Sequence, residues 1–211
     1  QPNPMLRVSF GSSGELPRNV YDVPFGFVER LADGRETVAL KWGTLGHLAV
    51  VNDSKYGYSA KGTTLFMTLI RSSYEPDPEP NPGKHTWTYA IRPTPDNDNY
   101  AELSKFGYQY NQPMMVATVP FDAKGTAPSE WSMSSVDSPD TLMFGAKLAE
   151  GTKDLIVRMY QCSPTESVLK PTFSVPGGAP TEVNFIEDYL NPFSGKIRGF
   201  EIKSLRISRK K

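Results

Sequence analysis

Apolar and polar residues alternate with a period of two along most of this chain, a pattern typical of β-strands. The alternation is clearest in residues 63–70, 85–92 and 154–160. The first segment carries apolar side chains on both faces, which predicts a central strand covered on both sides. In residues 85–92 the large apolar side chains share one face, which predicts a half-buried strand with Trp87 in the core.

The last predicted strand, residues 196–208, changes phase along its length. Its apolar positions shift from even to odd numbers after Ile202, so we expect a β-bulge near Ser204. Turn signals rich in glycine, proline and aspartate separate the strands, and the one helical pattern is short, around residues 99–106. These patterns together predict an all-β, antiparallel, sandwich-like fold.

A change in composition between residues 122 and 140 indicates a domain boundary, because glycine and proline lie there among serines and threonines. We predict a β domain over residues 1–125, a linker over residues 126–140 and a small C-terminal β-sandwich over residues 141–211. The last of these carries four strand patterns, close to the minimum for a separate sandwich.

The charges balance, with 23 basic and 23 acidic side chains, which argues against a nucleic-acid-binding protein. No apolar run approaches the ~20 residues of a membrane helix, and the single cysteine, Cys162, excludes an internal disulfide. The chain begins at Gln1 without an initiator methionine or a visible signal peptide. We therefore expect a soluble, excised or processed chain, either cytoplasmic or periplasmic and secreted.

The densest group of polar and aromatic side chains lies in residues 51–58. It contains a carboxylate, an ammonium and two phenols: Asp53, Lys55, Tyr56 and Tyr58. Such a set on one tight loop suits the hydroxyl groups of a sugar. The alternative is structural: Asn52 and Asp53 cap the turn through their own backbone, and Lys55 pairs with Asp53 at the surface. The spacing favours this second interpretation.

A second polar group follows in a loop that four prolines stiffen, residues 71–85. Its candidate residues are Arg71, Asp77, Asn81 and His85. A stiff loop can hold Asp77 or His85 toward a ligand at low entropic cost, and long loops inside compact domains are often functional. The alternative is a rigid, acidic connection between strands, and the residues alone leave both interpretations open.

The sequence supports no catalytic or metal site. It contains two histidines, His47 and His85, and neither has a cysteine or carboxylate nearby at a metal-ligand spacing. No G-x-S-x-G nucleophile motif is present, and the glycine turns lack the following helix of a phosphate site. We therefore assign no catalytic residue, no metal ligand and no cofactor to this chain. The tryptophans at 42, 87 and 131 offer rings for sugar stacking.

Several motifs occur in a fixed order along the chain: YDVPFGFVER at 21–30, NDSKYGY at 52–58, LIRS at 69–72, IVRMY at 156–160 and FEIKSLR at 200–206. With Asp77-Pro78 and Gly83-x-His85 between them, they resemble the C-terminal β region of glycoside hydrolase family 38, the α-mannosidases, especially the bacterial and cytosolic-type branch. The resemblance covers about residues 20 to 207. It departs at three positions, where the family has glutamate, aspartate and proline: Gln161, Asn81 and Gly199.

The resemblance implies a galactose-mutarotase-like supersandwich that belongs to a retaining, zinc-dependent α-mannosidase. It also implies that the nucleophilic aspartate and the zinc ligands lie in an N-terminal catalytic domain missing from this chain, so that the chain alone is inactive. The chain would support that domain and border the cleft for mannose-containing carbohydrate. The residues expected at the border are Asp53, Lys55, Tyr56, Tyr58, Arg71, Asp77, Asn81 and His85.

The sequence leaves two alternative functions open, and it predicts one assembly state. The chain could bind carbohydrate by itself through Tyr56, Tyr58 or Trp42, or act as a mutarotase-like or epimerase-like enzyme with His47 and His85 as acid and base. An isolated sandwich also exposes an apolar face or an unpaired strand edge, so we expect a homodimer, formed through residues 6–10. The sequence gives no reason to expect a membrane or nucleic-acid partner.

Overall fold

A computed structural model describes residues 4–12, 18–94 and 100–209 of the chain. The chain divides into two compact units, Gln1–Pro113 and Met114–Lys211, and each has its own apolar core. The N-terminal unit contains β1 (Met5–Gly11), β2 (Val20–Val23), β3 (Gly26–Glu29), β4 (Thr37–Val38), β5 (Trp42–Leu45), β6 (Leu48–Asn52), β7 (Gly57–Lys61), β8 (Thr64–Arg71), β9 (Tyr89–Pro93) and α1 (Tyr100–Asn111). The C-terminal unit contains β10 (Ser134–Val136), β11 (Thr141–Leu148), β12 (Leu155–Gln161), β13 (Ser167–Val168), β14 (Pro171–Phe173), β15 (Thr181–Val183), β16 (Tyr189–Pro192), β17 (Lys196–Ile197) and β18 (Ile202–Ile207).

Two antiparallel sheets form the N-terminal unit. Their strand orders are β3-β2-β5-β6-β9 and β1-β8-β7-β4. Side chains from both sheets share one buried apolar core, with Tyr21 and Val50 from the first sheet and Tyr58 and Leu65 from the second. Burial of apolar surface between two sheets is what stabilises a β-sandwich.

Helix α1 covers the outer side of β6, so this strand is buried on both faces. Ala49 and Val51 lie in a second core with Trp42 and Tyr100, whose rings stack with centroids 5.5 Å apart. The helix expected around residues 99–106 is α1, which continues to Asn111, although position 99 is outside the described residues. In the part of the chain that the structure describes, no helix has the length and apolar character to cross a membrane.

The structure confirms the central position of β8 and corrects β9. Strand β8 lies between β1 and β7, and its apolar side chains are buried or half-buried. Strand β9 begins only at Tyr89, so Trp87 lies in the preceding loop and is half-buried. Tyr89 and Ile91 are exposed, whereas Ala90 packs against the core under α1. The predicted face is wrong because β9 is an edge strand that the helix covers from the opposite side.

The C-terminal unit packs a five-stranded antiparallel sheet, β11-β12-β18-β15-β16, against two short ribbons, β10-β14 and β13-β17. Val157, Met159 and Leu205 of the sheet share a core with Leu169 and Ile197 from the β13-β17 region. The predicted all-β antiparallel sandwich fold is therefore confirmed. Strand β10 falls within the segment predicted as a linker, and the predicted domain bounds stay a prediction.

The phase change near the C-terminus has a different cause from the one expected. Strand β18 pairs with β12 without any shift of register, so the bulge predicted at Ser204 is wrong. The strand conformation is interrupted earlier, between the end of β17 at Ile197 and the start of β18 at Ile202. Phe200 in this break has a φ of 56°, a left-handed conformation that interrupts a strand. A Cβ on the preceding Gly199 would clash with the carbonyl oxygen of Pro164.

Two buried residues lie at the end of β12 and directly after it: Gln161, the last residue of the strand, and Cys162, which is 1% exposed. The side-chain oxygen of Gln161 accepts a hydrogen bond from the Thr141 hydroxyl at 2.8 Å. Its amide nitrogen faces three acceptors within 3.0 Å: Ser163 Oγ, Thr165 O and Ser167 Oγ. A carboxylate has no N–H to donate, so an amide suits this position, where the resemblance leads one to expect glutamate.

Candidate functional site

The two polar loops singled out from the sequence meet at one end of the N-terminal sandwich. Strand β6 ends at Asn52 and β9 begins at Tyr89, and these two residues are paired in neighbouring strands. Residues 53–56, which follow β6, therefore lie beside residues 72–88, which lead into β9. We call these residues the loop end of the sandwich.

Asp53 connects the two loops by a side-chain hydrogen bond. Its Oδ2 accepts from the Thr88 hydroxyl, and its Oδ1 accepts from the Ser54 hydroxyl at 2.9 Å. The bond from Thr88 is the main reason that the pKa of Asp53 lies below its usual value. Asp53 is therefore an exposed, ionised acceptor at neutral pH. The Asn52 Oδ1 accepts a hydrogen bond from the Lys55 backbone amide at 2.9 Å. Asn52 therefore caps the turn, as expected under the structural interpretation.

Lys55 faces an aromatic ring. Its Nζ lies 5.6 Å from the ring centroid of Trp87, within the usual range of a cation–π contact. The imidazole of His85 stacks against the same indole, with centroids 5.8 Å apart and planes within 10°. The His85 Nε2 lies 3.0 Å from the carbonyl oxygen of Asn81. A cation, an indole and an imidazole thus form a row at the loop end.

Asn81 and Asp77 hold the conformation of the long loop itself. The Asn81 Nδ2 donates to the Ser72 hydroxyl at 2.9 Å, and the Asp77 Oδ1 accepts the amide of Glu79 at 2.9 Å. An aspartate, which the resemblance leads one to expect at the position of Asn81, would lack the N–H that reaches Ser72. Asn81 and Asp77 therefore stabilise the conformation of the loop.

Tyr56 and Arg71 line an open groove of about 600 Å³ beside β4, β7 and β8. Glu36 also lines this groove: its carboxylate accepts from the Thr68 hydroxyl at 2.7 Å and from the Arg71 guanidinium at 2.9 Å. The Tyr56 ring is 50% exposed. An adjoining hollow of about 420 Å³ shares Glu36 with this groove and is lined mainly by charged residues: Glu29, Arg30, Asp33 and Arg35.

The sequence interpretation missed Glu36, although one signal was available. A Cβ on Gly57 would lie 2.9 Å from the Glu36 Oε1 and 3.0 Å from the Thr68 Cβ. The glycine of the NDSKYGY motif therefore lets the carboxylate reach its partners. A glycine inside a strand can indicate such a close approach, but it does not identify the residue that approaches.

Tyr58 belongs to the core and contributes no exposed atom to the loop end. It is 0% exposed, its hydroxyl accepts from the Asn52 Nδ2 at 3.0 Å and it donates to the Val50 carbonyl at 3.3 Å. Burial raises the pKa of the Tyr58 phenol, so it is neutral. Its visible role is to position Asn52, which caps the turn. Trp42 is likewise fully buried.

The two histidines lie at opposite ends of β6. His47 precedes the strand, whereas the loop that carries His85 meets the strand's other end at Asn52. A strand of five residues spans roughly 16 Å, so the two imidazoles do not face one small substrate. The acid–base pair required by the mutarotase-like alternative is not assembled.

Among residues 4–12, 18–94 and 100–209, no group of three or more histidine, cysteine, aspartate or glutamate side chains is placed to hold an ion. The resemblance places its zinc ion in the catalytic domain outside this chain, and that expectation stays a prediction.

Two family models, which describe two parts of one protein family, match separate regions of the chain. The Glycosyl hydrolases family 38 C-terminal domain matches residues 2–79, and the Glycosyl hydrolases family 38 C-terminal beta sandwich domain matches residues 145–205. The chain belongs to the C-terminal region of glycosyl hydrolase family 38. The first match contains residues 53–56 and the groove around Glu36, and the second contains most of the C-terminal sheet.

Curated relatives of this family 38 region are named as mannosidases. The chain is 29% identical to human alpha-mannosidase 2C1 over 74% of its length, and 28% identical to alpha-mannosidase G of Dictyostelium discoideum over 89%. It spans 16% of the length of the first relative and 19% of the second.

Two solved structures from Enterococcus faecalis share the fold. One is described as a protein in the glycosyl hydrolase family 38, with a TM-score of 0.82 and 19% identity over 96% of this chain and 26% of its own. The other is described as an alpha-mannosidase from strain V583, with a TM-score of 0.81 and 18% identity over 96% and 25%. At these identities the likeness shows the fold alone, and it agrees with the predicted sandwich.

Proposed function

We propose that this family 38 region is the C-terminal part of an α-mannosidase, and that the loop end of its N-terminal sandwich borders the mannoside-binding cleft. The supporting observation is the meeting of the two loops, which presents the Asp53 carboxylate, the Lys55 ammonium and the Trp87 and His85 rings together. Charged groups can bond sugar hydroxyls, and aromatic rings cover the apolar face of a sugar. Binding sites combine these two kinds of contact.

Cleavage of the glycosidic bond belongs, in this proposal, to a catalytic domain outside this chain. The curated relatives are several times longer than the chain, which leaves room for such a domain. The zinc ion implied by the resemblance would be held there too. The partners of this region are then its own catalytic domain and a mannose-containing carbohydrate, and the isolated chain has no activity.

The test uses the full-length protein and an aryl α-mannoside as substrate, with zinc added. We expect Lys55→Ala and Trp87→Ala to raise KM about 10-fold with a smaller change in kcat, because they remove contacts present throughout the reaction. Lys61→Ala, at the opposite end of β7 from Gly57, is the matched control and should behave as the wild type.

Two results would contradict the proposal. One is zinc-dependent turnover by the 211-residue chain alone. The other is a KM for Lys55→Ala and Trp87→Ala that equals the KM of the Lys61→Ala control, since the loop end would then touch no substrate.

As a second candidate, we propose that the chain binds carbohydrate directly in the groove around Glu36. Tyr58 and Trp42 are fully buried, so the half-exposed Tyr56 is the ring on which this function depends. Calorimetry of the chain with mannose and mannobiose should give a binding heat that Tyr56→Ala abolishes. A flat titration at millimolar sugar rejects this function.

A further inference from the structure

An apolar segment that follows α1 is exposed to solvent along its whole length. Its five large apolar side chains are between 76% and 109% exposed: Met114, Met115, Val116, Val119 and Phe121. No charged residue occurs from Gln112 to Phe121, and residues 113–120 belong to no helix or strand. We call residues 114–121 the apolar strap.

The strap differs from the other exposed apolar residues of the chain. Single exposed residues such as Leu31 and Val38 are normal on a protein surface. A contiguous, uncharged run in which every large side chain faces water is not, because such patches usually mark a surface that another protein segment covers.

The root of the strap is fixed at the loop end of the sandwich. Asn111, the last residue of α1, donates from its Nδ2 to the carbonyl oxygen of Asn52 at 2.9 Å, and the Gln112 amide donates to the Tyr108 carbonyl oxygen at 2.9 Å. Asn52 also caps the turn that presents Lys55. The strap therefore leaves the N-terminal unit beside the residues that we place at the border of the cleft.

We infer that the apolar strap docks onto the catalytic part of the same polypeptide, which lies outside this chain. This inference rests on the proposed function, because the proposed function is what supplies the catalytic part. Relatives at 16% and 19% coverage carry most of their length elsewhere, so a large surface is available for the strap to cover. The strap carries no charge, so its counterpart is an apolar groove next to the cleft, and docking fixes the loop end against it.

Hydrogen exchange measured by mass spectrometry tests the docking directly and needs no activity. We expect the amides of residues 115–119 and 121 to exchange at least 10-fold more slowly in the full-length protein than in the 211-residue chain. Equal and rapid exchange in both proteins would overturn the inference. So would equal protection in the isolated chain together with a dimeric mass, because the occupant would then be a second copy.

A variant provides the second measurement. The triple substitution Met115→Ser, Val116→Ser and Phe121→Ser should lower the melting temperature of the full-length protein by several degrees and leave that of the chain unchanged. Leu31→Ser with Val38→Ser, also exposed and apolar, is the matched control and should change neither protein. A triple variant that melts like the wild-type full-length protein would overturn the docking.

The two proposals fail in different ways. A full-length protein that protects the strap but has no α-mannosidase activity contradicts the proposed function and supports the docking. An active full-length protein whose strap exchanges rapidly supports the function and overturns the docking.

Discussion

Gln161 illustrates at the scale of one residue how a buried side chain selects an amide over a carboxylate. The side chain is fully buried, and its donors and acceptor are all engaged. Glutamate has the same shape but cannot donate, so the Thr165 carbonyl would face another acceptor. This contact pattern explains why glutamine suits the position, where the resemblance leads one to expect glutamate.

We predict that Gln161→Glu lowers the free energy of unfolding by about 2–4 kcal/mol at neutral pH. Burial would raise the pKa of the new carboxyl group, so the loss should be smaller at pH 5 and grow as the pH rises toward 8. Urea unfolding followed by circular dichroism at both pH values measures it. Gln109→Glu, at an exposed position on α1, is the control, and equal stability of the two variants at pH 8 contradicts the prediction.

Gly199 is a second case in which local contacts dictate the residue. The nearest atoms to a Cβ there are backbone atoms of Pro164, which cannot move aside as a flexible side chain can. The proline expected here from the resemblance also carries a Cβ, which would meet the same backbone atoms of Pro164.

We therefore expect Gly199→Ala to destabilise the C-terminal unit by about 2–4 kcal/mol through overpacking. Gly178→Ala is the matched control, because the nearest atom to its Cβ, Ser208 O, is 3.9 Å away. Thermal unfolding of the chain compares the two variants. Equal melting temperatures would show that the break between β17 and β18 relaxes without cost.

At the scale of elements, a charged contact ties the start of β12 to β18 and the residues after it. The Asp154 Oδ2 accepts from the Arg206 Nε at 2.8 Å, and its Oδ1 accepts the Arg209 amide at 3.0 Å. The bond from Arg206 is the main cause of a lowered pKa for Asp154. A lowered pKa in the folded state means that the ionised carboxylate stabilises the fold above its unfolded pKa, and that this contribution is lost as the pH falls through the folded value.

We predict that Asp154→Asn costs about 1 kcal/mol at pH 7, as expected for a surface charge-assisted hydrogen bond. The difference from the wild type should shrink below about pH 4 and vanish at lower pH. Unfolding free energies across this range measure it, with Asp137→Asn as an exposed carboxylate control on the same unit. A difference that stays constant down to pH 2 would show that the carboxylate charge plays no part.

Strands were predictable from the sequence where both faces are buried and less so at sheet edges. The segments that became β8 and β12 carry apolar residues whose burial depends mainly on their own strand. The face of β9 depends on α1, which the alternation of residues 85–92 cannot reveal. The break before β18 depends on the backbone at Phe200 and on Pro164, a contact between segments far apart in the sequence.

The candidate site shows the same division. Residue types identified Asp53, Lys55 and His85, because charged and imidazole groups crowd into two loops. Their partners could not be predicted, since Thr88 lies 35 residues from Asp53 and Glu36 lies 32 residues from Thr68. Pairing of distant strands creates these contacts, and one sequence does not show that pairing.

At the scale of the whole molecule, the chain is two β units, each stabilised by its own core. In the described residues β1 forms one edge of its sheet, and Leu6 on this strand is 49% exposed. The homodimer expected through residues 6–10 stays a prediction. The bounds at residues 125 and 141 also stay predictions, because composition reports chain flexibility and turns rather than the packing that defines a unit.

Because Cys162 is buried in the C-terminal unit, the rate at which its thiol reacts reports how often that unit opens. The sequence has no other cysteine, so an alkylating reagent has a single thiol to attack, and that thiol is 1% exposed in the folded unit. Reaction requires this unit to open, whereas opening of the N-terminal unit leaves the reagent without a target. The alkylation rate of the unmodified chain would therefore time the opening of one half of the molecule without any introduced label.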